Sequence, residues 1–152
     1  NTLCYLLAGI LIMLVGVHKY KEICVDDIAP TTVAAEFVRV VDGDTIVVIL
    51  DGEEQTVRLI GINAPESVHP DESRNTPEGH VASDYVSELM DGIDVVYLEF
   101  DQEMYDSYDR LLAYVYYYDE DELIMLNKKI FDEGYAEPLI IAPNTRYAKL
   151  FN

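Results

Sequence analysis

Residues 41–66 read VDGDTIVVILDGEEQTVRLIGINAPE, and the fold follows from their pattern. TIVVIL and QTVRLIGI are short, rich in β-branched residues and bounded by turn formers, which is how strands read. Asp51-Gly52 between them is a strong hairpin signal, because glycine accepts positive φ at no steric cost. FVRVV, immediately upstream, supplies one more strand ahead of the DGD turn. Three strands therefore run in succession from Glu36. Downstream, Asn75-Thr76-Pro77-Glu78 offers an N-cap with proline at the first helical position. Val81, Tyr85, Val86 and Leu89 then repeat at helical spacing until Asp91-Gly92. VVYLEF and LLAYVYYY read as two further strands, and Leu123, Leu126, Ile130 and Phe131 mark a second helix ended by Gly134. The order is three strands, helix, two strands, helix. A helix inserted after the third of five short strands suits a small closed barrel, one end of which it plugs. The expected fold is α+β and mainly β, a five-stranded OB-type closed barrel with two to three helices.

A chain of 152 residues, half of them hydrophobic, is long enough for one compact domain and too short for two ordinary ones. Its net charge of −19 repels polyanions at long range, and the ten basic residues are scattered, unlike the clustered lysines and arginines of a phosphate-binding surface. Cys4 and Cys24 lie outside the part that reads as folded and have no Cys/His metal spacing, so neither a disulfide framework nor zinc chemistry is expected. Leu3 to Val17 is an uncharged apolar run followed by His18, Lys19 and Lys21. It is shorter than the ~20 residues that comfortably span a bilayer and suits a secretory signal or a membrane anchor. The expected organisation is an apolar signal or anchor over 1–20, a polar linker over 21–34 and the barrel domain over 35–152. The protein is expected outside the cytoplasm, secreted or membrane-anchored, as a monomer.

Three segments carry candidate chemistry. Asp42-Gly43-Asp44-Thr45 places two carboxylates around a glycine at a strand start, where hard cations such as calcium find oxygen ligands. Asn63-Ala64-Pro65-Glu66 brings an amide oxygen, a carbonyl and a carboxylate within four residues, and Pro65 restricts Ala64 to extended backbone. Arg58 precedes this segment, and Asp106-Ser107-Tyr108-Asp109-Arg110 supplies a second arginine; the planar guanidinium grips phosphate oxygens in a bidentate way. Taken singly, each segment has an ordinary explanation as a turn, a loop or a surface ion pair. Their joint order and spacing change the odds.

VDGDTIVV, VRLIGINAPES, LEFD, DSYDRLLAYVY and LNKKIFDEGYA, in this order over about residues 38–144, resemble the staphylococcal nuclease, or thermonuclease, family. The resemblance implies a calcium-dependent nuclease that hydrolyses phosphodiesters of DNA or RNA by metal-assisted attack of water. It implies calcium ligands at Asp44, Asn63 and the Ala64 carbonyl. Glu66 would orient or deprotonate the water, while Arg58 and Arg110 would hold the phosphate and stabilise charge growing in the transition state. Asn63 stands where the family's better-known ligand is aspartate, Leu139-Ile140-Ile141 replaces base-stacking tyrosines, and the lysine-rich surface of the best-known member is missing. The family commonly ends in a long helix, where this sequence offers a single turn before Asn152. The alternative reading is a catalytically weak or inactive OB-type barrel used as a binding module.

Overall fold

The computed structural model describes residues 32–152. The apolar run, both cysteines and most of the expected linker lie outside the described residues. Strands β1 (Thr32–Asp42), β2 (Thr45–Leu50) and β3 (Glu53–Leu59) form consecutive antiparallel pairs. The tight turn between β2 and β3 has Asp51 at φ 54° and Gly52 at φ 84°, two successive left-handed residues as the Asp-Gly signal requires. Strand β4 (Gly61–Asn63) follows, then helix α1 (Pro77–Leu89), β5 (Val95–Glu99), β6 (Leu111–Asp119), β7 (Glu122–Met125), helix α2 (Leu126–Asp132) and β8 (Glu137–Leu139). β5 pairs with β1 and β6, and β6 returns to β3 in parallel, with Val57 opposite Leu111. These pairings close a ring of five strands, β1-β2-β3-β6-β5, and the fold is an OB-type barrel with two α-helices.

Alternation along the strands fills the barrel. Ile46 and Val48, Val57 and Leu59, Val96 and Leu98, and Leu111, Ala113 and Val115 are all buried in one cluster. Thr76 caps α1 by accepting the Gly79 N–H at 3.0 Å. The helix packs on β1, and its Ala82, Val86 and Met90 enter the core.

Four details differ from the sequence reading. β1 begins at Thr32, where it pairs with Glu99, so residues 32–34 belong to the barrel. QTVRLIGI is not one strand: the chain turns at Ile60-Gly61, Gly61 has φ +90°, and β4 leaves the barrel to pair with β8. The buried stripe of α1 is rotated from the expected one, leaving Val81 55% exposed, because Gly79 and Ala82 make the close approach. Leu123 belongs to β7, which pairs with β6, and α2 starts only at Leu126.

Candidate active site

Asp44, Arg58, Asn63, Ala64, Glu66 and Arg110 all line one cavity of about 510 Å³, where the β1–β2 turn, the end of β4 and the loop before β6 converge. The structure thus brings together every residue singled out from the sequence. Close backbone approaches gather them. A Cβ on Gly43 would lie 2.7 Å from the Ala64 Cβ and 2.9 Å from the Ala82 Cβ, so only glycine lets the DGD turn seat between β4 and α1. Seated there, Asp44 Oδ2 accepts the Ala64 N–H at 2.6 Å, and Oδ1 accepts the Thr45 hydroxyl at 3.0 Å. Asp42 Oδ1 accepts the Asp44 N–H at 3.2 Å.

Arg58 on β3 serves this cluster from beneath. Its Nη1 donates to the carbonyls of Leu59 (2.8 Å) and Ile62 (2.9 Å), and its Nη2 to Asn63 Oδ1 (3.1 Å), with Asp44 Oδ2 also 3.1 Å from Nη2. Three Nη hydrogen bonds and one ion pair thus tie the guanidinium to the protein. Burial pushes the Asp44 carboxyl up to about 6, against the pull of Arg58. Burial likewise lowers Arg58 from its ordinary range, with Asp44 opposing.

Arg110 is held differently. Asp106 accepts the N–H groups of Tyr108 and Arg110 on Oδ1 (2.9 and 3.0 Å) and Arg110 Nε on Oδ2 at 2.7 Å, bracing a loop in which Asp109 takes φ 65°. The Arg110 guanidinium carbon lies 5.4 Å from the centre of the exposed Tyr108 ring. Among the described residues nothing bonds its two Nη groups, so the fork is available to a ligand. Glu66 is half-buried, and its backbone is fixed by α1: the carbonyl accepts the Thr76 N–H at 2.9 Å and lies 2.1 Å from where a Gly79 Cβ would be.

Asp42 and Asp106 come from segments already singled out in the sequence, whereas Glu103, Asn127 and Phe151 carry no sign there of a place at the site. Asp42, Glu103 and Asp106 also line the cavity, which thus holds five carboxylates, counting Asp44 and Glu66, against two guanidiniums. Asn127 on α2 is fully buried; it accepts the Val115 N–H at 2.8 Å and donates to the carbonyls of Ile60 (2.8 Å) and Ala113 (3.2 Å). It fastens the break between β3 and β4, and with it the approach to Asn63 and Ala64. Phe151 packs over the same break, 2.5 Å from a Cβ built on Gly61. A buried asparagine at helical spacing carries no local sign of these partners.

Fold and cavity define the class: a closed five-stranded OB-type barrel with carboxylates and two arginines gathered beside the β1–β2 turn. The chain belongs to the family described as staphylococcal nuclease homologue, which matches residues 56–152. It is 41% identical over 109 residues to a thermonuclease of Staphylococcus intermedius, covering 72% of this chain and 61% of that protein. With a thermonuclease of Staphylococcus hyicus the identity is 40% over 110 residues, covering 72% and 62%. An endonuclease, YncB, of Bacillus subtilis is 37% identical over 115 residues, covering 74% and 52%. The chain thus spans between half and two thirds of the length of these relatives.

Proposed function

We propose that the protein is a nuclease that hydrolyses phosphodiester bonds of DNA or RNA in this cavity, with calcium as cofactor. The convergence of Glu66, Arg110, Arg58 and Asp44 on one cavity is the observation that carries the reading. Family membership and relatives named thermonuclease and endonuclease support it.

The donor set suits a hard divalent cation. In this reading Asp44 begins a cation site that the amide oxygen of Asn63 and the Ala64 carbonyl complete, all three lining the same cavity. Oxygen-only ligation of this kind is a calcium preference. Two facts point to a cation. Asp44 is 5% exposed and its ionised form is disfavoured by burial, and the cavity carries three more carboxylates than guanidiniums. An anionic substrate needs that excess offset. The bound cation would polarise the phosphoryl oxygens and neutralise charge that grows on them.

The chain's own residues supply the remaining chemistry. Glu66, whose backbone α1 holds in place, orients a water and takes its proton as the new oxygen–phosphorus bond forms and the phosphorus–oxygen bond to the leaving nucleoside breaks, the leaving oxygen taking up a proton from solvent. The Nη fork of Arg110 binds two phosphoryl oxygens and stabilises them most where negative charge is greatest, in the transition state. Arg58 positions Asp44 and Asn63, and its Nη2 reaches a phosphate only when those oxygens turn to the cation.

That engagement of Arg58, together with a neutral Asn63, favours a second reading, a barrel that binds oligonucleotides without cleaving them. Titrating single-stranded DNA hydrolysis with calcium, and then with a chelator, separates the two. Turnover that rises with calcium and stops with chelator supports the enzyme. Binding without turnover at any calcium concentration supports the module.

A further inference from the structure

Beyond the cavity, the described residues offer almost no surface with which to hold a nucleic-acid backbone. Eight of its ten basic residues lie among the described residues. Arg58 and Arg110 belong to the cavity. Arg39, Lys128, Lys129 and Arg146 are each paired with a carboxylate, those of Glu54, Asp132, Glu133 and Glu99. What is left is Arg74, set against His69, and Lys149. Among the described residues, therefore, no basic track leads from the site to relieve the acidic balance. A phosphate outside the cavity meets carboxylates within reach of unscreened repulsion, which extends ~10 Å at 0.1 M salt. Each phosphate that a protein neutralises steepens the salt dependence of binding to a single strand by about −0.7, and a duplex presents twice the charge per unit length of one strand. Next to the charged floor, the cavity wall includes the exposed, apolar Leu139 and Ile141, a surface open to a nucleoside that adds no charge.

We infer that this site, given the nuclease reading on which the inference rests, engages one phosphodiester and its immediate neighbours, so that its substrates are short, single-stranded oligonucleotides and duplex is excluded. Long strands gain nothing over short ones per bond.

The test uses oligodeoxythymidylates and a duplex of matched length, with calcium. Across about 4 to 32 nucleotides, kcat/KM per phosphodiester should change by less than about threefold, its slope against log salt should be shallower than about −1, and duplex should be cleaved at least about tenfold more slowly. Failure of any of the three overturns the inference. If no oligonucleotide is hydrolysed, the nuclease reading falls separately. The footprint is then read from fluorescence anisotropy of labelled oligodeoxythymidylates on the calcium-loaded protein. The same flat dependence on length and salt upholds it; a steeper dependence, or no binding at any length, overturns it.

Discussion

Arg110 rests on Asp106 through Nε and keeps its Nη groups clear, whereas Arg58 gives Nη hydrogens to Leu59, Ile62 and Asn63 and pairs with Asp44. Two arginines of one cavity thus answer differently to the same substitution. Arg110→Lys should cut turnover by about 10²-fold, since lysine cannot reproduce the fork, while changing stability by less than about 1 kcal/mol. Arg58→Lys should lose as much activity and also about 3 kcal/mol of stability, because buried acceptors lose their donor. Denaturant melts beside kinetics check this; equal stability loss in both variants would refute it. Asp44 sets the pH dependence. Burial raises its carboxyl to about 6, so it is ionised above that pH, and below it a bound proton must leave before a cation can bind. Apparent calcium affinity should fall about tenfold per pH unit below 6 and level off above it; calorimetry that finds no change between pH 7 and 5 would remove Asp44 from the ligand set. Asn63→Asp adds the missing negative charge, and its calcium affinity should rise on the order of tenfold. If titration shows no gain, Asn63 is not a ligand. The residue types were legible in DGD, INAPE and DSYDR because local spacing displays them. The three hydrogen bonds and the ion pair of Arg58 were not, since they depend on a carboxylate, an amide and carbonyls that only the folded turns bring together.

At the scale of elements, the site is assembled by close approaches to glycine backbone. Gly79→Ala would set a methyl 2.1 Å from the Glu66 carbonyl, so either the first turn of α1 or the Glu66 loop must move. We expect about 1–3 kcal/mol of destabilisation with a disproportionate loss of kcat. Gly92, at φ +78° with nothing near its Cβ direction, is the control: Gly92→Ala should cost about 1 kcal/mol of strain and leave kcat unchanged. Equal kinetic effects in the two variants would show that the α1 contact does not position Glu66. The strands around Asp51-Gly52 and the Thr76-Pro77 helix start were readable, because turn and cap chemistry is local. The break at Ile60-Gly61 was not. The apolar run continues through it, and what turns the chain is Phe151, ninety residues later, together with Asn127. The rotated face of α1 escaped notice for the same reason: hydrophobic spacing marks Val81, yet helix orientation is set by the small residues Gly79 and Ala82 against the DGD turn and the Glu66 loop.

For the whole molecule, barrel closure was legible from the number and order of the strands, whereas the parallel β3–β6 contact that completes it was not, because pairing between distant strands leaves no local trace. The acidic balance was visible in composition, but only the structure shows that four of the described surface cations, Arg39, Lys128, Lys129 and Arg146, are paired with carboxylates. The barrel, the α1 contact and the two arginines together make one claim, that Glu66 activates water in a calcium-dependent phosphodiester cleavage. Its most direct measurement is the rate of single-stranded DNA hydrolysis by wild type and Glu66→Gln at saturating calcium, with oligonucleotide binding followed in parallel. If Glu66 activates the water, the rate falls by roughly 10²-fold or more with binding retained. An unchanged rate, or loss of binding together with activity, would contradict it.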